Sequence, residues 1–262
     1  MTIVDAVLRS LPKGIAAIQL RAKSLSGRAL FDAAGALGET TRLYQAPLLI
    51  NDRVDIALAA GADGVHLPAS GLSPAEARLL DRNHLDVIDP ALSLTLSATA
   101  TATICSTRST FVYAAAPATV MAEGRSFTSP SPSTTTTTTT TNYQTQSRQR
   151  DNGLAPNFLI GVSTHTLDEV LMAARQGADY VSFGPVFATP SKGAPTGLAS
   201  LAQAVASVAI PVFALGGVGP SEALACTKVG ARIACIRAVL GGDPERAVEN
   251  ARQFLTSIGT DS

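Results

Sequence analysis

The chain has 262 residues, enough for one sizeable core and within the range of single α/β barrels. Hydrophobic residues make up 46% and charged residues 15%, which points to a globular interior, and twenty basic side chains balance twenty acidic ones. That balance excludes a broad electrostatic footprint for nucleic acid or an anionic membrane, so any bound anion must be held by a local site.

The opening "MTIVDAVLRSLPKG" lacks the charged-then-apolar layout of a signal peptide, and no apolar run reaches the ~20 residues of a membrane span. A soluble, cytoplasmic protein is the expectation. The three cysteines, Cys105, Cys226 and Cys235, are odd in number and have no metal-type spacing. Cys226 and Cys235 lie in apolar segments, where a small buried thiol is the plainest reading.

In chain order, a helical pattern over roughly 2–12 precedes the apolar run "GIAAIQL" (14–20), then a helix over "GRALFDAAGALGETTRLYQ". "APLLI" (46–50) and "ADGVHL" (62–67) follow, then "SPAEARLL" with Ser73 as a cap and Pro74 in the first turn. Later runs are "FLIGV" (158–162), "ADYVSFG" (178–184), "IPVFALG" (210–216) and "ARIACI" (231–236). Between the first two of these, "HTLDEVLMAARQG" begins near Thr164 or Thr166 as an N-cap and stops at Gly177. Near-continuous apolar runs separated by amphipathic helices predict parallel βα units, in a closed barrel or an open doubly wound sheet.

Seven strands against eight helices leave a gap, because an eightfold barrel would open on a strand and this chain opens on a helix. The expectation is an α/β fold of the (β/α)8 TIM-barrel type lacking its first strand, formed by 1–83 and 157–262 as one domain. Residues 84–156 read as an insertion rich in threonine and serine, with eight consecutive threonines, and too little apolar surface to offset its ordering entropy. Most of it is expected to be disordered and dispensable; within it, "STFVYAAA" (109–116) is the one run able to supply the absent strand.

Parallel βα folds place their chemistry at the carboxyl ends of the strands. The residues there are Arg21 and Lys23; Asn51, Asp52 and Arg53; Ser163, Thr164 and His165; Thr189, Ser191 and Lys192; Gly216 and Gly217; and Arg237. Amide donors, hydroxyls and cations thus converge on one rim, which is the composition of an anion site, and a glycine pair lets backbone N–H groups approach a phosphate. Each group also has a plainer reading. Arg21 and Lys23 read as a solvated pair, Asn51 as a turn group and Asp52 as a cap for the helix beginning near Arg53. His66 reads equally as a packed ring or a catalytic one, His165 as a helix-start residue and Arg237 as the partner of an acidic neighbour.

"IQLRAK", "LLINDRVDIALAAGADGVHL", "GVSTHTLDEVLMAARQGADYVSFGPVFATPSK" and "IPVFALGGV" resemble the serial motifs of thiamine-phosphate synthases and the related TenI-type thiazole tautomerases. The resemblance covers roughly 5–83 and 157–240. It implies a (β/α)8 barrel and the joining of a hydroxymethylpyrimidine diphosphate to a thiazole phosphate, with pyrophosphate leaving. By position in the matching motifs, Gln19, Arg21, Lys23, Asn51 and Lys192 would hold the pyrimidine diphosphate. Asp52 would ligand Mg²⁺ and Ser163 would contact the departing pyrophosphate. Thr189, Ser191, the Gly217 amide and the backbone at Ile236–Arg237 would hold the thiazole phosphate. Lys192, Ser163 and His165 are the candidate catalytic residues.

The chain departs from the family at "HLPASG", where synthases continue "HLGQED": Gly71 stands in place of a second Mg²⁺ carboxylate. Two alternatives stay open beside the synthase. A TenI-type tautomerase needs no metal and one general base, for which His165 matches; a noncatalytic thiazole-phosphate-binding barrel would need neither. The partners implied are small phosphorylated pyrimidine and thiazole compounds, with no nucleic acid and no membrane, and an open barrel edge would suit a partner subunit.

Overall fold

The computed structural model describes residues 2–88, 110–114, 158–190, 193–240 and 243–259, with the backbone alone for 82–88 and 110–114. The chain opens on helix α1 (Ile3–Ser10), capped by the Thr2 hydroxyl, and enters strand β1 (Ala16–Leu20). Helix α2 (Gly27–Leu43), strand β2 (Leu48–Asn51), helix α3 (Val54–Ala59), strand β3 (Gly64–Leu67) and helix α4 (Pro74–Ile88) follow. After strand β4 (Thr110–Ala114) come β5 (Leu159–Thr164), α5 (Leu167–Arg175), β6 (Tyr180–Phe183), α6 (Gly197–Ser207) and β7 (Val212–Leu215). The chain ends with α7 (Pro220–Lys228), β8 (Arg232–Cys235), the short α8 (Arg237–Leu240) and α9 (Pro244–Ser257).

The strands close into a parallel barrel in the order β1-β2-β3-β5-β6-β7-β8-β4. All seven runs predicted as strands are present. The missing wall is not missing: β4, taken from the Thr/Ser-rich segment, lies between β1 and β8. It pairs Ala16–Leu20 with Thr110–Ala114 on one side, and Ala234 and Cys235 with Phe111 and Val112 on the other. The expected boundary at 83 also moves, since α4 runs on to Ile88. The rest of the predicted insertion, with Cys105 and the threonine run, lies outside the described residues.

Side chains alternate between the two faces of each strand. Ile18, Leu48, Ile50, Val65, Leu67, Ile160, Val162, Val181, Phe183, Val212 and Ile233 point outward into one core with the helices. Ala17, Leu49, Tyr180, Phe213 and Ala234 fill the barrel interior as a separate cluster. Each outward side chain buried from water stabilises the fold by roughly 1.5–3 kcal/mol. The inner face turns polar one step further along the strands, at Gln19, His66 and Ser182, all buried.

A repeated Gly-Ala-Asp, ending the helix turn before β3 and before β6, stitches neighbouring strands at the far end of the barrel. Gly61 and Gly177 take positive φ, 61° and 86°, where the chain reverses out of α3 and α5. Asp63 then accepts the Leu48 N–H at 2.7 Å, and Asp179 accepts the Ile160 N–H at 2.7 Å. Arg78 of α4 adds a clamp, donating to Asp179 at 2.8 Å and to the Phe158 carbonyl at 2.5 Å. The amino end is thus held by charge-assisted bonds, while the carboxyl end carries the candidate site.

Candidate active site

From β1, the buried Gln19 amide donates to Asn51 Oδ1 across to β2 at 3.0 Å, so the two amides orient each other. Arg21 and Lys23 follow on the exposed rim.

At the end of β2, Asp52 adopts the left-handed region with φ 67°, and its N–H donates to the His66 carbonyl at 2.9 Å. Aspartate tolerates this conformation better than most residues. The turn leaves the carboxylate exposed at the rim rather than over the helix: α3 has Arg53 as its N-cap, with no side-chain cap bond. The capping reading of Asp52 is therefore wrong. Arg53 is taken up by Asp55, its guanidinium donating to both carboxylate oxygens at 2.8 and 2.5 Å.

The stretch after β3 forms a tight turn, with the Gly71 N–H donating to the Pro68 carbonyl at 3.0 Å. A β-carbon on Gly71 would stand 3.3 Å from Asp52 Oδ1. The position that the family resemblance marks for a second carboxylate thus lies beside Asp52 and is filled by none. Among the described residues no three His, Cys, Asp or Glu side chains gather as a metal site. One exposed carboxylate is nonetheless a donor set that Mg²⁺ accepts, because this ion commonly takes one or two carboxylates and completes its shell with water and substrate phosphate oxygens.

On β5, the Ser163 hydroxyl lies 2.9 Å from His66 Nε2 inside the barrel mouth. Thr164 points the other way and donates to the Ser182 carbonyl at 3.1 Å. His165 is exposed; its Nδ1 is hydrogen-bonded to the Gly184 carbonyl and its backbone N–H donates to Glu169. Thr166, the next residue, is the N-cap of α5 in a reciprocal capping box with Glu169.

The segment after β6 folds back on the strand-β7 end: Val186 N–H donates to the Leu215 carbonyl and Phe187 N–H to the Gly216 carbonyl, both at 3.0 Å. Gly216 and Gly217 have φ 92° and 68°, and a β-carbon on Gly217 would come within 2.7 Å of the Ala188 carbonyl. Only glycine lets the two loops meet so closely. Next to them, Thr189 Oγ1 is buried and has no hydrogen-bond partner among the described residues. A shielded hydroxyl without a partner is rare in folded proteins and calls for an explanation such as a water, an ion or a bound ligand. Ser191 and Lys192, predicted for the same loop, lie outside the described residues. At β8, Ile236 is half-buried and Arg237 exposed, the Ile236 carbonyl receiving the Leu240 N–H at 2.8 Å. Arg237 has no ion-pair partner among the described residues.

The structure therefore brings Gln19, Arg21, Lys23, Asn51, Asp52, Ser163, His165, Thr189, Gly217, Ile236 and Arg237 to the same end of the barrel. Two groups escaped the sequence reading, Tyr180 and Ser182; both meet His66, which the sequence left equally as a packed or a catalytic ring. His66 Nδ1 lies 2.9 Å from the Tyr180 hydroxyl, and its Nε2 lies 3.3 Å from Ser182 Oγ. Burial, with the Arg21 charge added, lowers the His66 pKa to about 3 and keeps the ring neutral. The alternation of "GVHL" placed His66 inward; its partners lie 97 and 114 residues away and left no local mark. The buried thiols of Cys226 and Cys235 are pushed up to about 11 and about 12, chiefly by burial, so both are inert packing residues.

The sequence model of the thiamine monophosphate synthase family matches residues 1–87 and 142–239. The thiamine-phosphate synthase of Chlorobium phaeobacteroides is 32% identical over 257 residues, 96% of this chain and 89% of its own. That of Methanoculleus marisnigri is 31% identical over 249 residues, 93% of this chain and 83% of its own. A solved structure, the thiamine phosphate pyrophosphorylase from Pyrococcus furiosus, superposes with a TM-score of 0.61 at 23% identity. The match covers 99% of this chain and 90% of that one, and it supports the barrel fold alone. No helix among the described residues is long and apolar enough to cross a membrane. With its motifs in order along a (β/α)8 barrel, the chain belongs to the thiamine monophosphate synthase family, transferases of thiamine biosynthesis.

Proposed function

We propose that this chain joins a hydroxymethylpyrimidine diphosphate to a thiazole phosphate and releases pyrophosphate. The observation that carries the reading is the shielded Thr189 hydroxyl, without a partner among the described residues, in the loop whose Ala188 carbonyl closes on Gly217, on the same rim as Asn51, Asp52 and Ser163. Two anionic groups can be held there at once, a monophosphate by the β6–β7 loops and a diphosphate by the ends of β1, β2 and β5.

The reaction breaks the bond between the pyrimidine methylene and the diphosphate oxygen, and the thiazole nitrogen forms the new bond to that carbon. Negative charge grows on the leaving group, so catalysis consists of positioning plus charge neutralisation at that oxygen. Arg21, Lys23 and Lys192 supply positive charge; Ser163 donates a hydrogen bond to the departing pyrophosphate. Gln19 and Asn51, locked to each other, orient the diphosphate substrate. Thr189, Ser191, Gly217 and the backbone at Ile236–Arg237 fix the thiazole phosphate. Mg²⁺, held by Asp52, would neutralise diphosphate charge when bound. The tautomerase alternative rests on His165, but the relatives compared above are named synthases and nothing in the geometry singles that ring out.

The test is direct detection of thiamine phosphate from the two substrates with Mg²⁺, against Lys192→Ala. Product from the wild type, reduced by that substitution without loss of melting temperature, is the expected result. A folded wild-type protein that makes no product overturns the reading.

A further inference from the structure

Three buried side chains take no part in the proposed reaction as described: His66, Tyr180 and Ser182 are 1%, 4% and 2% exposed. They form one line with Ser163. The Tyr180 hydroxyl lies 2.9 Å from His66 Nδ1, while Ser163 Oγ lies 2.9 Å and Ser182 Oγ 3.3 Å from Nε2. Gly161 makes this line possible, because a β-carbon there would fall inside the Tyr180 ring.

A neutral imidazole has one N–H and one lone pair, so the roles of its two nitrogens are opposite. If Nδ1–H donates to Tyr180, Nε2 must accept, and the proton of Ser163 is consumed inside the barrel. If Tyr180 donates to Nδ1, then Nε2–H donates outward and the Ser163 proton is left to point at the rim. The two serines decide between these. One N–H can be shared between two acceptor oxygens as a three-centre bond, whereas one lone pair cannot take two hydroxyl protons well. An anion beside Ser163 demands the same polarity, since it can only accept.

We infer that Tyr180 and His66 are positioning residues that hold imidazole as the Nε2–H tautomer and so keep the Ser163 hydroxyl a hydrogen-bond donor to the diphosphate. The inference rests on the reading that Ser163 faces the diphosphate. Neither ring touches the reacting atoms in this role. Each acts through Ser163.

Full-length protein labelled with ¹⁵N-histidine answers the question, since the chain has three histidines and His66→Asn identifies the relevant signals. With inorganic pyrophosphate and Mg²⁺ bound, long-range ring correlations should show the Nε2–H tautomer for His66. Tyr180→Phe and Ser163→Ala should each weaken pyrophosphate binding about tenfold, and the double variant should be no weaker than either, as for two residues in one line. An Nδ1–H tautomer in the bound state, or losses that simply multiply, overturns the inference while leaving the function intact. A folded wild type that binds no pyrophosphate overturns both. If Tyr180→Phe does not fold, the wild-type tautomer alone decides.

Discussion

Asp52 and Gly71 face each other across the rim, the carboxylate Oδ1 lying 3.3 Å from where a Gly71 β-carbon would be. The same β-carbon would press on the Pro68 ring at 2.9 Å. The single-carboxylate arrangement is thus built into a turn of two coupled residues, not into one substitution.

On the proposed reading, Pro68→Gly/Gly71→Asp should lower the Mg²⁺ concentration for half-maximal rate about tenfold, the scale of one added charge about 4 Å from the ion in a solvated site. Gly71→Asp alone should do less, because Pro68 obstructs it. Asp52→Ala should lower kcat/KM about a hundredfold, as removal of one electrostatic partner of a transition state does. Mg²⁺ titrations of initial rate check all three; a double variant with unchanged Mg²⁺ dependence removes Asp52 from the metal site.

Deleting residues 89–157 should not leave an intact core, contrary to what the composition of that segment suggests. The deletion removes β4 and leaves the backbone groups of β1 and β8 unpaired along both lips of the barrel. Exposed edges of that kind pair with other copies. Size-exclusion chromatography should show oligomers or aggregate; a monomer with the wild-type melting temperature would mean that β4 contributes nothing to the wall.

Asp179→Ala should destabilise the protein by roughly 1–3 kcal/mol, since it removes the acceptor of the Ile160 N–H and strands Arg78 beside it. Urea unfolding reads the loss, and kcat should stay unchanged because the clamp sits at the far end of the barrel. Equal loss in Arg78→Ala/Asp179→Ala and in the single variant would show that the pair acts as one unit.

The buried His66 makes stability depend on pH. Its folded pKa of about 3 lies below the ordinary 6.5, so between these values the unfolded chain takes up a proton that the folded one refuses. Stability from this group is present above pH 6.5 and is lost as the pH falls toward 3, at about 1.4 kcal/mol per unit. Urea midpoints at pH 5 and pH 7 should differ more in the wild type than in His66→Asn. An equal difference in both would place the acid sensitivity elsewhere.

Much of the molecule was legible in the sequence because the signals are local. Apolar runs such as "PLLI" and "FLIGV" mark strands by composition, and the Thr166 capping box marks the start of α5 by spacing. The rule that chemistry follows strand ends picked out Asn51, Asp52, Ser163 and Gly217 as candidates without any coordinates. What stayed hidden was decided between distant parts of the chain. "TFVYA" becomes a wall strand only because residues 16–20 and 234–235 leave a gap of its width. Composition makes it the one candidate in a polar segment, but only the pairing decides that it closes the barrel. The Ser163–His66–Tyr180 line joins three strands whose residues are far apart in sequence, and no spacing could announce it. Periodicity determines which face a side chain takes; barrel closure and strand register decide which other side chain it meets there.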